Sequence, residues 1–403
     1  LDRRIIAWLD AEAQAQIDFL AALVRQPSDN PPGDCAAHGK LTGDLIEAMG
    51  LTVERLPVPA AECRAVGMVS ATNLVVRHRF GPGPTVALNA HGDVVPPGDG
   101  WRHDPYGAEV ENGWMYGRGI AVSKSDIATY LFALRALIAS GAKLKGTVEL
   151  HVTYDEETGG RIGPAWLLAE GHSKPDYAIC PGFSYDVVVA HNGCLQLEIT
   201  VRGKSAHAAW PDTGIDAMQG ALPILNAIYG LRPALAERRS KVDGIDTATV
   251  VVGRIDGGTN TNVVPDKVIL RLDRRIVPEE DATAAEAELR ALVAQAAPAD
   301  VQVSVELLLL ARPLTPTPES QRLAELLQRH GAQVLGQPVG RVGVPIYADA
   351  RHYAEAGIPT VMYGAGPKDP LDANGHRADE RIELKDLRAA TEVVACAIAE
   401  LLV

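Results

Sequence analysis

Between Cys194 and Leu310 the chain sets out six elements in an order that few folds accept. "LQLEITVRG" reads as a strand and "GIDAMQGALPILNAIYGL" as a helix. "TATVVVGRI" and "DKVILRLDRRIV" are strands, "ATAAEAELRALVAQAA" a helix and "DVQVSVELLLL" a strand. That order, βαββαβ, is the split-βαβ pattern of a small two-layer domain. Before it, strands alternate with helices over roughly the first 190 residues, which predicts an α/β sheet covered on both faces. After a Pro-rich exit, "ARPLTPTPES", the alternation resumes to the end. The expected layout is one domain inserted into another, with residues 1–193 and 311–403 forming the host and 194–310 the insert. A chain of 403 residues suits one large and one small domain.

Local signals refine this. "IIAWLDAEAQAQIDFLAALVRQPS" reads as a helix ended by Pro27. "TNLVVRHRF" and "TVALNAH" read as strands. After Lys124, Ile127, Leu131, Leu134 and Ile138 fall on one helical face, and Ser123 with Asp126 three residues later reads as an N-terminal capping pair. Thirty-eight basic against 51 acidic residues give −13, which argues against a nucleic-acid surface. No apolar run reaches about 18 residues, so no membrane span is expected. The opening "LDRRIIAWLD" reads as an amphipathic helix and not a signal peptide. The cysteines, Cys35, Cys63, Cys180, Cys194 and Cys396, are odd in number and show no CxxC spacing, which fits a reduced, cytoplasmic chain.

Chemistry concentrates in a few segments. "LNAHGDVVP" places His91 and Asp93 just after a strand, the spacing of a metal-binding imidazole and the carboxylate that fixes its tautomer. "YDEETGG" stacks Asp155, Glu156 and Glu157 at a strand end. Adjacent carboxylates raise one another's pKa, and a cation compensates best. A metal ligand beside a general base is one use of such a pair; a solvated acidic turn is the other. His376 lies in the polar loop "DANGHRADERIEL", His207 in "GKSAHAAWP", and Asp349 and Arg351 in "YADARHYAEAGIP".

Taken together, "SDNPPGD", "HGDVVP", "YGRG", "DEETGG", "GKSAHAAWP", "GGTNTNVVPD" and "GHRADE" come in an order that resembles the M20 metallopeptidases and amidohydrolases over nearly the whole chain. The resemblance implies a catalytic α/β domain with a mixed sheet covered by helices, interrupted by a ferredoxin-like lid through which members commonly form homodimers. It implies hydrolysis of an amide bond in a small carboxylate-bearing substrate, such as an N-acyl amino acid or dipeptide. His91 falls on a metal histidine and Asp93 on its supporting aspartate. Glu156 falls on the general base, and Glu157 and His376 on ligands of a second metal. His207 falls on the lid histidine that stabilises the developing oxyanion in the partner's site. Asn262 and Arg275 fall on lid positions that contact substrate. Arg351, Gly364 and Gly366 lie where members bind substrate carboxylate or backbone.

Two positions depart from that pattern. Where G-R-G-x-x-D-x-K has its metal-bridging aspartate this chain has Val122, and where an acid follows "DYAIC" it has Gly182 and Phe183. Asp126, Asp186 and Cys180 flank the gaps. A bridging carboxylate screens two ions about 3.5–4 Å apart, which valine does not do. The remaining His91, Glu157 and His376, with Glu156 free, make the parts list of a mononuclear hydrolase taking one divalent ion, zinc or manganese first, cobalt or iron next. A chain that has lost catalysis would instead be a binding protein. A rebuilt single-metal pocket would instead run deamination or another non-peptide hydrolysis.

Overall fold

The alternation expected before residue 190 condenses into one eight-stranded mixed sheet. In this computed structural model, which describes residues 2–403, the strands lie side by side in the order Val53–Pro57, Thr72–Arg79, Thr147–Thr153, Thr85–His91, Tyr177–Cys180, Thr360–Met362, Asp186–His191, Gly340–Val344. The strand Thr85–His91 pairs in parallel with Thr147–Thr153 and with Tyr177–Cys180, and the latter pairs in parallel with Thr360–Met362. Four central strands therefore end at one edge of the sheet. Their burial explains their sequences: Val86–Ala90 and Val148–Val152 are buried without interruption, as strands covered on both faces must be. An open sheet of this kind presents its chemistry beyond the carboxyl ends of its strands.

Helices flank the sheet. Asp2–Ala11, Ser125–Ala139, Pro318–Leu335 and Leu384–Leu401 pack against one another, with Ser125–Ala139 also touching Thr85–His91. The first expected helix is two, Asp2–Ala11 and Ala13–Arg25, because Glu12 leaves helical geometry at ψ 7°. The one-faced pattern expected after Lys124 also needs correction. Ser125–Leu134, Ala136 and Leu137 are all buried, since this helix lies between the sheet and other helices. Its expected cap is absent: Ser123 and Asp126 bond elsewhere, as described below.

Contacts divide the chain into two units, one of 1–189, 316–342 and 348–403, the other of 190–315 and 343–347. The second holds a four-stranded antiparallel sheet in the order Thr249–Gly257, Lys267–Ile276, Gly193–Arg202, Gln302–Ala311. Helices Ala217–Gly230 and Ala282–Ala296 pack together and on this sheet. Asp216 and Asp281 cap their N-termini through Met218 N–H, Gln219 N–H and Ala284 N–H. Segment 343–347 is tied in by Asn192 N–H to the Val344 carbonyl and Gly343 N–H to the Asp243 carbonyl. Gly244 (φ 92°) is needed there, since a Cβ would lie 2.2 Å from the Gly343 carbonyl oxygen. The cysteines are all buried and free. Among the described residues no helix is long and apolar enough to cross a membrane.

Candidate metal centre

The parallel strands deliver the chemistry to one edge. His91 is the last residue of its strand, and its backbone is held on both sides by one hydroxyl. Ser123 Oγ accepts from His91 N–H at 3.0 Å and donates to the His91 carbonyl at 3.1 Å. The His91 Nδ1 lies 2.9 Å from the Asp93 carbonyl and 3.4 Å from Asp93 Oδ1. With Nδ1 assigned as donor, Nε2 keeps its lone pair for a cation. Burial opposes a charge on this imidazole, but Asp93, Glu156 and Glu157 together raise its pKa well above the ordinary value.

Asp93 is fully buried and works as a staple. Its carboxylate accepts from Asn30 Nδ2 at 2.9 Å, from Glu156 N–H at 3.3 Å and from Glu157 N–H at 3.2 Å. The tight turn Glu156–Thr158 is thereby pinned to the end of the neighbouring strand. The three adjacent acids then take different roles. Asp155 turns inward, accepting from Ile162 N–H at 2.7 Å, and burial raises its pKa to about 7. Glu156 is also raised to about 7, by burial and by repulsion from Glu157 and Asp93 against the pull of His91. A carboxylate near 7 suits a general base at neutral pH.

His91, Glu156 and Glu157 each offer a donor atom, all within 4.8 Å of one another, the group of this kind found among the described residues. His376, at φ 62° in its loop, brings Nε2 to 3.3 Å from Glu157 Oε1. That oxygen is buried and makes no aligned hydrogen bond. The Glu157 charge raises the His376 pKa. Two lone-pair atoms at this separation match the edge of a tetrahedron with bonds of about 2.0–2.1 Å. The convergent donors are one imidazole and two carboxylates, His91, Glu156 and Glu157, a set that fits a divalent ion; His376 lies outside that group and meets it through Glu157. Val122 is half-buried near the same loop, a Cβ on Gly375 falling 3.6 Å from its Cγ2.

Residues given no role in the sequence reading also build this edge. Buried Glu380 accepts from Ala121 N–H at 2.9 Å and Val122 N–H at 3.3 Å and pairs with buried Arg118, locking the 376–380 loop to the 119–124 turn. Asp379 accepts from Arg102 N–H and His103 N–H. No periodicity marks such contacts, since Arg118 and Glu380 lie 262 residues apart in the chain. Asp349 is buried against the turn, its Oδ1 lying 2.1 Å from where a Gly160 Cβ would sit.

Other expected site residues have different surroundings. Arg351 is buried and donates to the Gly159 carbonyl at 2.6 Å, with Glu355 3.5 Å away. It supports the Glu156–Thr158 turn from behind. Gly364 lies against the Asp126 carboxylate, and Gly366 N–H donates to Ser184 Oγ at 3.2 Å. Of the acids and thiol flanking the gaps, Asp186 sits beside Gly340, whereas Asp126 and Cys180 are buried near one another. Gly182 has no room for a side chain: a Cβ would lie 2.7 Å from the Tyr363 nitrogen. In the smaller unit His207 is exposed, in a bridge with Val263, and Ala208 N–H donates to the Asn262 carbonyl. Arg275 is held by Asp273 at 2.9 Å and lies over the Tyr347 ring at 5.7 Å.

Comparison with known proteins gives the family. Residues 87–400 match the family described as peptidase family M20/M25/M40. A succinyl-diaminopimelate desuccinylase of Gluconobacter oxydans (strain 621H) is 33% identical over 287 residues, covering 68% of this chain and 71% of that protein. Another, of Gluconacetobacter diazotrophicus, is 29% identical over 393 residues, 94% of this chain and 95% of its own. In structure, a dipeptidase of Saccharomyces cerevisiae superposes with a TM-score of 0.75 at 13% identity, over 99% of this chain and 98% of its own. With the sheet, the smaller antiparallel unit and the edge cluster all in place, the chain belongs to peptidase family M20/M25/M40, whose members hydrolyse amide bonds.

Proposed function

We propose that this amide hydrolase acts on a small carboxylate-bearing substrate, of the N-acyl amino acid or dipeptide kind, at a mononuclear centre held by His91, Glu157 and His376. The convergence of His91, Glu156 and Glu157 at the ends of adjacent parallel strands carries the reading. A divalent ion held there, zinc or manganese, would supply Lewis acidity, polarising the scissile carbonyl and acidifying water. Glu156, poised near 7, takes the proton of the attacking water and returns it to the departing amine nitrogen as the C–N bond breaks. The products are a carboxylate and an amine. Asp93 holds the His91 tautomer and both glutamate N–H groups, so ligand and base keep one geometry.

Substrate carboxylate is assigned to Arg275, whose guanidinium is oriented by Asp273 and partly exposed, whereas Arg351 is buried against the Gly159 carbonyl. Asn262 joins Arg275 as a substrate contact. His207 is assigned to oxyanion stabilisation from a second copy of the chain; a monomer in solution would remove that role. The desuccinylase relatives favour N-succinyl and related acyl substrates. Protein purified without chelator should carry about one ion per chain by elemental mass spectrometry, within the needs of a three-donor site. It should release amine from a panel of N-succinyl and N-acetyl amino acids and dipeptides. Two ions per chain would reject the mononuclear centre. An ion-loaded protein inert to the whole panel would reject the substrate class.

A further inference from the structure

One face of the strand Thr147–Thr153 is polar where a strand covered on both sides usually carries apolar side chains. Its sequence alternates. Val148, Leu150 and Val152 point one way, Glu149, His151 and Thr153 the other, and all are buried. The polar face is well paired. Glu149 Oε1 accepts from Arg77 Nε at 2.7 Å, and Oε2 accepts from Ser173 Oγ at 2.5 Å and from His151 Nε2 at 3.0 Å. Burial works against the Glu149 charge, yet these partners bring its pKa down to about 2. An ionised carboxylate only accepts, so the proton is assigned to His151 Nε2 and Nδ1 is left to accept. Tyr353 meets it. Its hydroxyl lies 2.8 Å from Nδ1, and the two rings stack at 20° with centroids 6.0 Å apart.

Tyr353 belongs to the helix Ala350–Glu355, which is too short to hold itself without tertiary anchors. Its two neighbours on that helix both reach the Gly159 carbonyl, Arg351 Nη2 at 2.6 Å and His352 Nε2 at 2.9 Å. The Gly159 N–H in turn donates to the Glu156 carbonyl at 3.0 Å and closes the turn that carries Glu156 and Glu157. Every link from Glu149 to that turn is thus a hydrogen bond or a step along one short helix. His151 also sits on the strand that leads into the turn. Strand and helix therefore approach the turn separately, and the His151–Tyr353 bond ties them together. Apolar packing alone would let so short a helix slide or rotate, whereas a directed hydrogen bond fixes its register.

We propose that His151 and Tyr353 are positioning residues for the metal-holding turn. Their bond, oriented by Glu149, fixes the helix Ala350–Glu355 against the strand, so that Arg351 and His352 hold Gly159, and with it Glu156 and Glu157, at the spacing an ion needs. Neither residue is itself a ligand. The inference rests on the metal-hydrolase reading above and extends it to the support behind the site.

The test is Tyr353→Phe, which keeps the ring and removes only the hydroxyl. On metal-stripped protein, Zn²⁺ affinity is read by competition with a chromophoric chelator, and ligand geometry from the visible bands of the Co²⁺-loaded form. Both are measured well below the thermal midpoint, where every molecule is folded. The expected result is about a 10-fold loss of affinity with shifted Co²⁺ bands, the scale on which groups behind metal ligands act. A residue that only stabilised the fold would lower Tm and move neither readout. Unchanged affinity and bands, with Glu157→Gln still weakening Zn²⁺, would overturn the positioning role and leave the metal centre intact. Full affinity in both variants would remove the metal-centre reading as well. If Tyr353→Phe fails to fold, the nitrogen NMR resonances of the His151 ring in the parent protein decide. A protonated Nε2 and an accepting Nδ1 that shift on Zn²⁺ loading support the proposal. A ring protonated on Nδ1 alone, or one indifferent to Zn²⁺, overturns it.

Discussion

Ser123 and Glu156 show how much a single side chain carries here. Ser123 was read as a helix cap and instead clamps the His91 backbone. Ser123→Ala would leave a buried N–H and C=O at the strand end without partners, a loss of about 2 kcal/mol in stability. Urea unfolding of the metal-free protein checks this; a change under about 0.5 kcal/mol would reject the clamp, since surface substitutions do no more. Glu156→Gln should keep metal content while lowering kcat by about 10²–10⁴, the share of a general base. Retained turnover would move the base elsewhere. At this scale His91 and Glu156 were legible because their residue types fall at strand ends, whereas His376, in a loop, was legible only through the order of the motifs. Asp126 was visible only as a neighbour of a gap. Its bond to Ala365 spans 239 residues, and no local pattern encodes a contact that long.

The turn after the strand Thr147–Thr153 is the element on which geometry depends. Asp93 holds it from the front, and Arg351 with Asp349 backs it from the short helix Ala350–Glu355 and its cap. Gly160, at φ 69°, lies in a conformation L side chains avoid, and a Cβ would meet Asp349 Oδ1 at 2.1 Å. Gly160→Ala should therefore lose about 2–4 kcal/mol, a strain of backbone and overpacking together. It should also weaken metal binding, because the turn carries Glu157. A variant as stable as the parent by thermal unfolding would show that Asp349 yields freely. Strands and helices of this kind were largely readable, because period and turn residues mark them. The break at Glu12 was not, since neither glycine nor proline signals it. Nor was the burial of Ser125–Leu134 on every side, because helical periodicity reports one apolar face and not what packs on the other.

For the whole molecule, the buried acids set a pH dependence. Glu156 and Asp155 are held near 7 and Asp126 and Asp349 are raised, all chiefly by burial. In the unfolded chain such groups titrate near 4. Between about pH 5 and 7 the folded state therefore holds more protons, and stability falls as pH rises. Glu149 and Asp379, both lowered to about 2, have the opposite sign, but their contribution is complete by pH 5; buried His38, lowered by burial, also opposes within the window but is one group against four raised acids. Metal-free protein should lose thermal stability from pH 5 to 7, and Zn²⁺ should restore it at pH 7. A flat or rising Tm over that window would reject the protonated cluster. The α/β host with an antiparallel insert was legible in the order of elements. The return of 343–347 to the second unit was not, because five residues carry no pattern of their own. That return has a consequence for anyone cutting the chain. The insert is not a cassette. A gene fragment spanning 190–315 would omit the strip whose Val344 carbonyl takes the Asn192 N–H and whose Gly343 N–H meets the Asp243 carbonyl. Exchange of modules between relatives must move two pieces of gene at once, so a crossover outside 190–315 that leaves 343–347 behind yields a mismatched splice.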